Sequence, residues 1–198
     1  LAALKELRDS GEWTDLQTVL ISDKGSDGNT YHFTAMAWAA GAKQLEVMRW
    51  LIEKGVRVDE SREWHVLPSN TSANVGFIKG LELLKEKGCD LAKADSDGVM
   101  PAHNAAAGGH LPVLHLLHSY GVPMNVKEKR GCTPADWATA GGHTECAAFL
   151  KEVSVGKAGN ERASKDSAGK SSSKDNVMCS GKGSSSNTNS IANANAQS

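Results

Sequence analysis

The sequence predicts an all-α solenoid of stacked helix-turn-helix units with short projecting turns, followed by a disordered C-terminal tail. Three observations predict it. Gly55, Gly88 and Gly121 are spaced by 33 residues, and Pro68, Pro101 and Pro134 keep the same interval. Gly76, Gly109 and Gly142 repeat it in the same register, the last two each followed by histidine. From Ser154 onward the chain becomes Ser, Asn, Ala, Gly and Lys, with Val155, Val177, Met178 and Ile191 as almost the only larger apolar side chains. Such a segment cannot offset the entropy of ordering it. A fixed period of this length marks a repeat architecture.

Each unit opens on its proline, because a residue at the first helical position has no intrahelical use for an N–H; helices are expected near 68, 101 and 134. Eight residues on, a glycine ends the helix after about two turns by taking the left-handed conformation that other residues avoid. A second apolar pattern follows, as Leu45, Val47, Met48, Trp50 and Leu51 in one unit and Leu111, Val113, Leu114, Leu116 and Leu117 in another. Its period near 3.6 describes an antiparallel partner helix with one buried stripe. The glycine at 55, 88 or 121 closes that helix. The segments Gly55 to Pro68, Gly88 to Pro101 and Gly121 to Pro134 then align without a gap, and their Asp, Ser, Gly and charged residues suit a projecting turn. A helix pair this small cannot bury its own apolar face, so copies must stack into one shared core.

The residues resemble the ankyrin repeat. Thr133-Pro134-Ala135-Asp136-Trp137-Ala138-Thr139-Ala140-Gly141-Gly142-His143 and Met100-Pro101-Ala102-His103-Asn104-Ala105-Ala106-Ala107-Gly108-Gly109-His110 carry the family's proline, small-residue pair and Gly-His turn. The first full unit lacks the proline but keeps Thr34, Trp38, Ala39, Ala40 and the helix from Leu45 to Gly55. The second departs most, with Ser69, Asn70 and Ser72 where the family has Leu, His and Ala. On this reading residues 1–26 are a degenerate N-terminal capping repeat, in which Leu4, Leu7, Gly11, Trp13, Leu16, Val19 and Leu20 repeat the helix-Gly-helix order. Residues 27–62, 63–95 and 96–128 are repeats one to three, 129–153 is repeat four and C-terminal cap, and 154–198 is the tail.

Composition excludes several functions. The net charge is -1, and the tail's lysines are dispersed without interleaved aromatics, so no nucleic-acid surface is expected. No apolar run approaches the ~18 residues that span a bilayer, and no membrane association is expected. Cys89, Cys132, Cys146 and Cys179 show no CxxC spacing, which fits a reduced, intracellular setting, cytoplasmic or nuclear. The chain begins at Leu1 without methionine, so a longer parent protein is an open expectation.

No nucleophile elbow, phosphate-binding loop, dinucleotide fingerprint or His-Glu-x-x-His helix occurs, so no enzyme activity, cofactor or metal is expected. His103, His110 and His143 occupy positions that, in the family resembled, hydrogen-bond backbone within and between repeats. His115 and His118 are three apart on one helix, but lack a third ligand nearby in sequence. Cys146, three from His143, aligns with the buried Val113 and reads as a small apolar residue. Trp50 aligns with Leu83, Leu116 and Phe149, and Trp38 with Trp137; core packing outweighs ligand binding for all three tryptophans.

The resemblance implies a protein-binding scaffold or adaptor, a monomer whose projecting turns and first helices line a concave groove. Partner choice then falls to the positions the consensus leaves free: Tyr31 and Phe33; Glu63, Trp64 and Val66; Asp97 and Val99; Lys129 and Arg130; Cys132; and Asn74 on a first helix. Tyr31, Phe33 and Trp64 carry most weight, since large aromatics dominate binding hot spots. The competing expectation is that Phe33 and Trp64 merely cover repeat two. An alternative function is a regulatory or targeting segment of a longer enzyme or channel.

Overall fold

A computed structural model describes residues 20–24, 30–59 and 66–156; side chains are described from Thr34 to Ser154, outside 60–65. Among the described residues, two strands, β1 (Leu20–Lys24) and β2 (Thr30–Thr34), precede eight helices. These form four antiparallel pairs: α1 (Ala35–Gly41) with α2 (Leu45–Glu53), α3 (Pro68–Asn74) with α4 (Ile78–Glu86), α5 (Pro101–Ala107) with α6 (Leu111–Ser119), and α7 (Pro134–Ala140) with α8 (Thr144–Gly156). The first helices stack on one another in the order α1, α3, α5, α7, and the second helices do the same behind them. The helical repeat architecture expected from the glycine and proline spacing is therefore observed.

The helix boundaries follow the local chemistry that the sequence advertises. Pro68, Pro101 and Pro134 each begin a first helix. Repeat one lacks proline and starts instead on Thr34, whose Oγ1 accepts from the Ala37 N–H at 3.1 Å and so satisfies one orphan donor of the helix end. Thr133 does this reciprocally: its N–H donates to the Asp136 carboxylate at 2.8 Å, and the Asp136 N–H donates to Thr133 Oγ1. The turn glycines at 76, 109 and 142 all have positive φ. Repeat one places Lys43 there instead, at φ 54.

One core runs through all four pairs. Met36, Met48, Leu51, Leu81, Leu84, Leu114, Leu117, Trp137 and Leu150 are fully buried, with alanines between the first helices. Trp38 and Trp50 pack against this core, as expected. Repeat two departs in chemistry but not in geometry: Ser69, Asn70, Thr71 and Ser72 are all buried in α3 between α1 and α5.

The strand pair was not foreseen. Ile21 pairs with Phe33 and Asp23 with Tyr31 in an antiparallel ladder, so Leu20 begins a strand rather than continuing a second helix of the N-terminal unit. The rest of that expected capping repeat, the C-terminal tail beyond Gly156, Glu63 and Trp64 lie outside the described residues. A second difference concerns the cysteines. Cys89 and Cys146 are free and buried, but Cys132 is disulfide-bonded, against the expectation of a wholly reduced set. Among the described residues no helix is long and apolar enough to cross a membrane.

Candidate functional site

The projecting turns of repeats three and four are built to one plan. In each, a carboxylate sits three residues before a glycine of positive φ and folds back over the turn. Asp95 Oδ1 accepts from the Asp97 and Val99 N–H groups at 3.0 and 2.9 Å. Glu128, 33 residues later, accepts from Arg130 N–H at 2.8 Å and Cys132 N–H at 3.4 Å. Backbone bonds close both loops, Asp95 N–H to Val99 and Glu128 N–H to Cys132. The two tips then join, the Lys129 N–H donating to the Asp97 carbonyl at 2.9 Å. Burial pushes the Asp95 carboxyl above its usual range, even though the Val99 and Asp97 N–H groups and Asn70 oppose that shift.

Each tip is tied to the helix behind it by one side chain. His103 Nε2 lies 3.3 Å from the Cys132 carbonyl while its Nδ1 accepts from the Met100 N–H at 3.2 Å. This fixes the neutral tautomer with the proton on Nε2. Asn70, at the equivalent position of repeat two, donates to the Val99 carbonyl at 3.1 Å and to Asp95 at 3.2 Å. At the other end of the first helices, His110 reaches the Asn74 carbonyl at 2.8 Å and His143 the Ala107 carbonyl at 2.9 Å. The histidines thus bond backbone, as the resemblance implied. Burial lowers the His103 and His110 pKa values, against the pull of their carbonyl partners; Lys43 and His143 lower His110 further.

The residues singled out in sequence divide into four groups. Lys129, Asp97 and Arg130 lie at the tips with side chains 69%, 48% and 45% exposed. They are not idle: Lys129 Nζ lies 3.9 Å from Asp97, and Arg130 pairs with Glu128 at 3.5 Å while its guanidinium sits 6.0 Å from the Trp137 ring. Asn74 and Val66 are half-buried. Val99, by contrast, is 4% exposed, and Cys132 at the equivalent position is also buried. These two are corrected: the carboxylate-clamped turn directs them inward, where they pack in the core and do not line a groove. Tyr31 and Phe33 lie in β2, whose side chains are not described.

The residues that invited a chemical reading have structural roles. His115 and His118 both pack on Phe149, at ring-centroid distances of 4.2 and 5.9 Å. Cys146 is buried, which raises its thiol pKa; burial pushes that of Cys89 up to about 11. Among the described residues no group of three or more His, Cys, Asp or Glu stands where it would hold a metal ion. Sequence reasoning missed the clamps Asp95 and Glu128, although carboxylate-x-x-Gly recurs at 95–98 and 128–131 with the 33-residue spacing.

Residues 102–150 match the family model for ankyrin repeats (many copies). No curated protein matches the chain. The matched stretch contains the His103 and His143 bonds, the Glu128 clamp and both Gly-His turns, while the Asn70 link and the Asp95 clamp lie before it. This part of the chain is thus similar to ankyrin repeats, which are generally protein–protein interaction modules.

Proposed function

We propose that this protein is a non-catalytic, monomeric scaffold or adaptor that binds a protein partner along the edge formed by its turns and first helices, without cofactor, metal, nucleic acid or membrane. The observation that carries the reading is the construction of the tips. Two successive turns are held rigid by Asp95 and Glu128 and joined through Lys129 to Asp97, while the three charged side chains they present stay substantially exposed. A preorganised edge of this kind loses little entropy on binding. The aromatic residues Tyr31, Phe33 and Trp64, with Glu63, Val66 and Asn74, extend the proposed contact row toward repeats one and two.

The test is binding by the full chain of a partner recovered by affinity capture. Lys129→Glu with Arg130→Glu, and separately Tyr31→Ala with Trp64→Ala, are expected to weaken binding at least about tenfold, the size of a hot-spot loss. Glu82→Lys, on the exposed back of α4, is expected to leave it unchanged. Undiminished binding by both edge variants, or loss confined to Glu82→Lys, contradicts the proposed surface.

A further inference from the structure

We infer that the boundary between repeats one and two is a hinge, at which repeat one swings away from repeats two to four more readily than the array unfolds as a whole.

The three boundaries between repeats differ position by position. Between repeats two and three, Asn70 donates to the Val99 carbonyl and His110 to the Asn74 carbonyl. Between repeats three and four, His103 and His143 make the same two links, to Cys132 and Ala107. Between repeats one and two the corresponding residues are Ala37 and Phe77. Neither side chain has a hydrogen to donate, so both recurrent cross-links are chemically impossible there. Lys93 Nζ donates to the Asp59 carbonyl at 2.9 Å, a tether between connecting loops that lies outside the stacked helices.

The helices on the repeat-two side are themselves poorly suited to a dry interface. Among the described residues, the buried side-chain atoms without a hydrogen-bond partner are Asn70 Oδ1 and Ser72 Oγ, both on α3. Ser72 stands where the other repeats have Ala39, Ala105 and Ala138. A buried polar atom left unsatisfied favours any state that lets water reach it, and α3, which carries both, forms one side of the contact with α1. In α4, Gly80 replaces Val47, Val113 and Cys146, and the Phe77 ring fills the space, 2.4 Å from where a Cβ would stand. An internal glycine weakens the helix, and Phe77 cannot be both its filler and a donor. On the repeat-one side, Lys43 holds the turn in a left-handed conformation that glycine adopts in the other three units.

Hydrogen exchange on the full chain, read by mass spectrometry under native conditions, tests the hinge. Amides of α1 and α2 (Ala35–Glu53) are expected to exchange at least about fivefold faster than those of α5 and α6, the factor that one net hydrogen bond commands. Helices α7 and α8, at the opposite end, should match α5 and α6, which separates a hinge from ordinary fraying of array ends. Equal protection of α1–α2 and α5–α6 overturns the inference, as does equally fast exchange at both ends. Phe77→His with Gly80→Val rebuilds the pair found as His110 and Val113. It should slow exchange across 35–53 by a similar factor and leave 101–153 unchanged. No slowing, or slowing throughout, contradicts the proposed origin of the hinge.

Discussion

At the scale of single residues, Lys43 shows how a repeat is specified by backbone geometry more than by side-chain identity. Its φ of 54 lies in the left-handed region that Gly76, Gly109 and Gly142 occupy freely at 70, 68 and 75. For an L-residue that conformation costs about 1–2 kcal/mol, while glycine's greater freedom in the unfolded chain offsets about 0.4–1 kcal/mol of any gain. Lys43→Gly should therefore stabilise the protein by about 0.5–1 kcal/mol, measured by urea unfolding; a loss of stability would mean that the lysine side chain makes a contact outweighing the strain. His103 carries the pH dependence. Burial lowers its pKa in the folded protein, opposed by the Cys132 carbonyl, Glu128, the Val126 backbone and Asp136. A histidine held neutral in the fold contributes stability above its unfolded pKa of about 6.5, and that contribution is lost as pH falls below this value. Stability should thus decline from pH 7 toward pH 5, with His110 adding in the same direction. His103→Asn, which imports the donor used at position 70, should flatten the decline; an unaltered slope would assign it to other groups.

The elements divide by whether their cause is local. The first helices were legible because Pro68, Pro101 and Pro134 start them and a positive-φ glycine stops them, both matters of backbone sterics that a single residue announces. The second helices were legible from the apolar stripe that buries Leu84, Leu114, Leu117 and Leu150. The tips were legible only in part. Val99 and Cys132 read as surface positions because they follow charged turns; their inward direction depends on Asp95 and Glu128 folding over the backbone, a medium-range effect invisible to residue-by-residue inspection. The strand pair escaped because Leu20-Ile21-Ser22-Asp23-Lys24 lacks apolar alternation and is set by pairing with Thr30–Thr34. The clamp makes a prediction at this scale. Glu128→Ala leaves the Arg130 and Cys132 N–H groups without their acceptor, and should cost about 1–3 kcal/mol in urea unfolding. A cost below about 0.5 kcal/mol would show that the tip's backbone bonds hold it unaided.

For the whole molecule, stability is a sum of weakly stable units and the interfaces between them, so each boundary matters as much as each core. The boundaries here are unequal. Two carry the recurrent pair of side-chain-to-carbonyl bonds, and the third, with Ala37 and Phe77 at the donor positions, can form neither, although the helices stack across all three. This gradient is compatible with a rigid edge at repeats three and four and a more mobile approach at repeat one, within one continuous apolar core. That the core is shared is the claim on which the edge, the hinge and the proposed binding all depend. Urea unfolding of a chain lacking repeat four, residues 129–153, compared with the intact protein, tests it most directly. Without Trp137, Leu150 and the Cys132 carbonyl, repeat three loses its covering face and the denaturation midpoint should fall sharply, with a smaller denaturant slope. An unchanged midpoint would mean that each helix pair is stable alone, and would contradict the account.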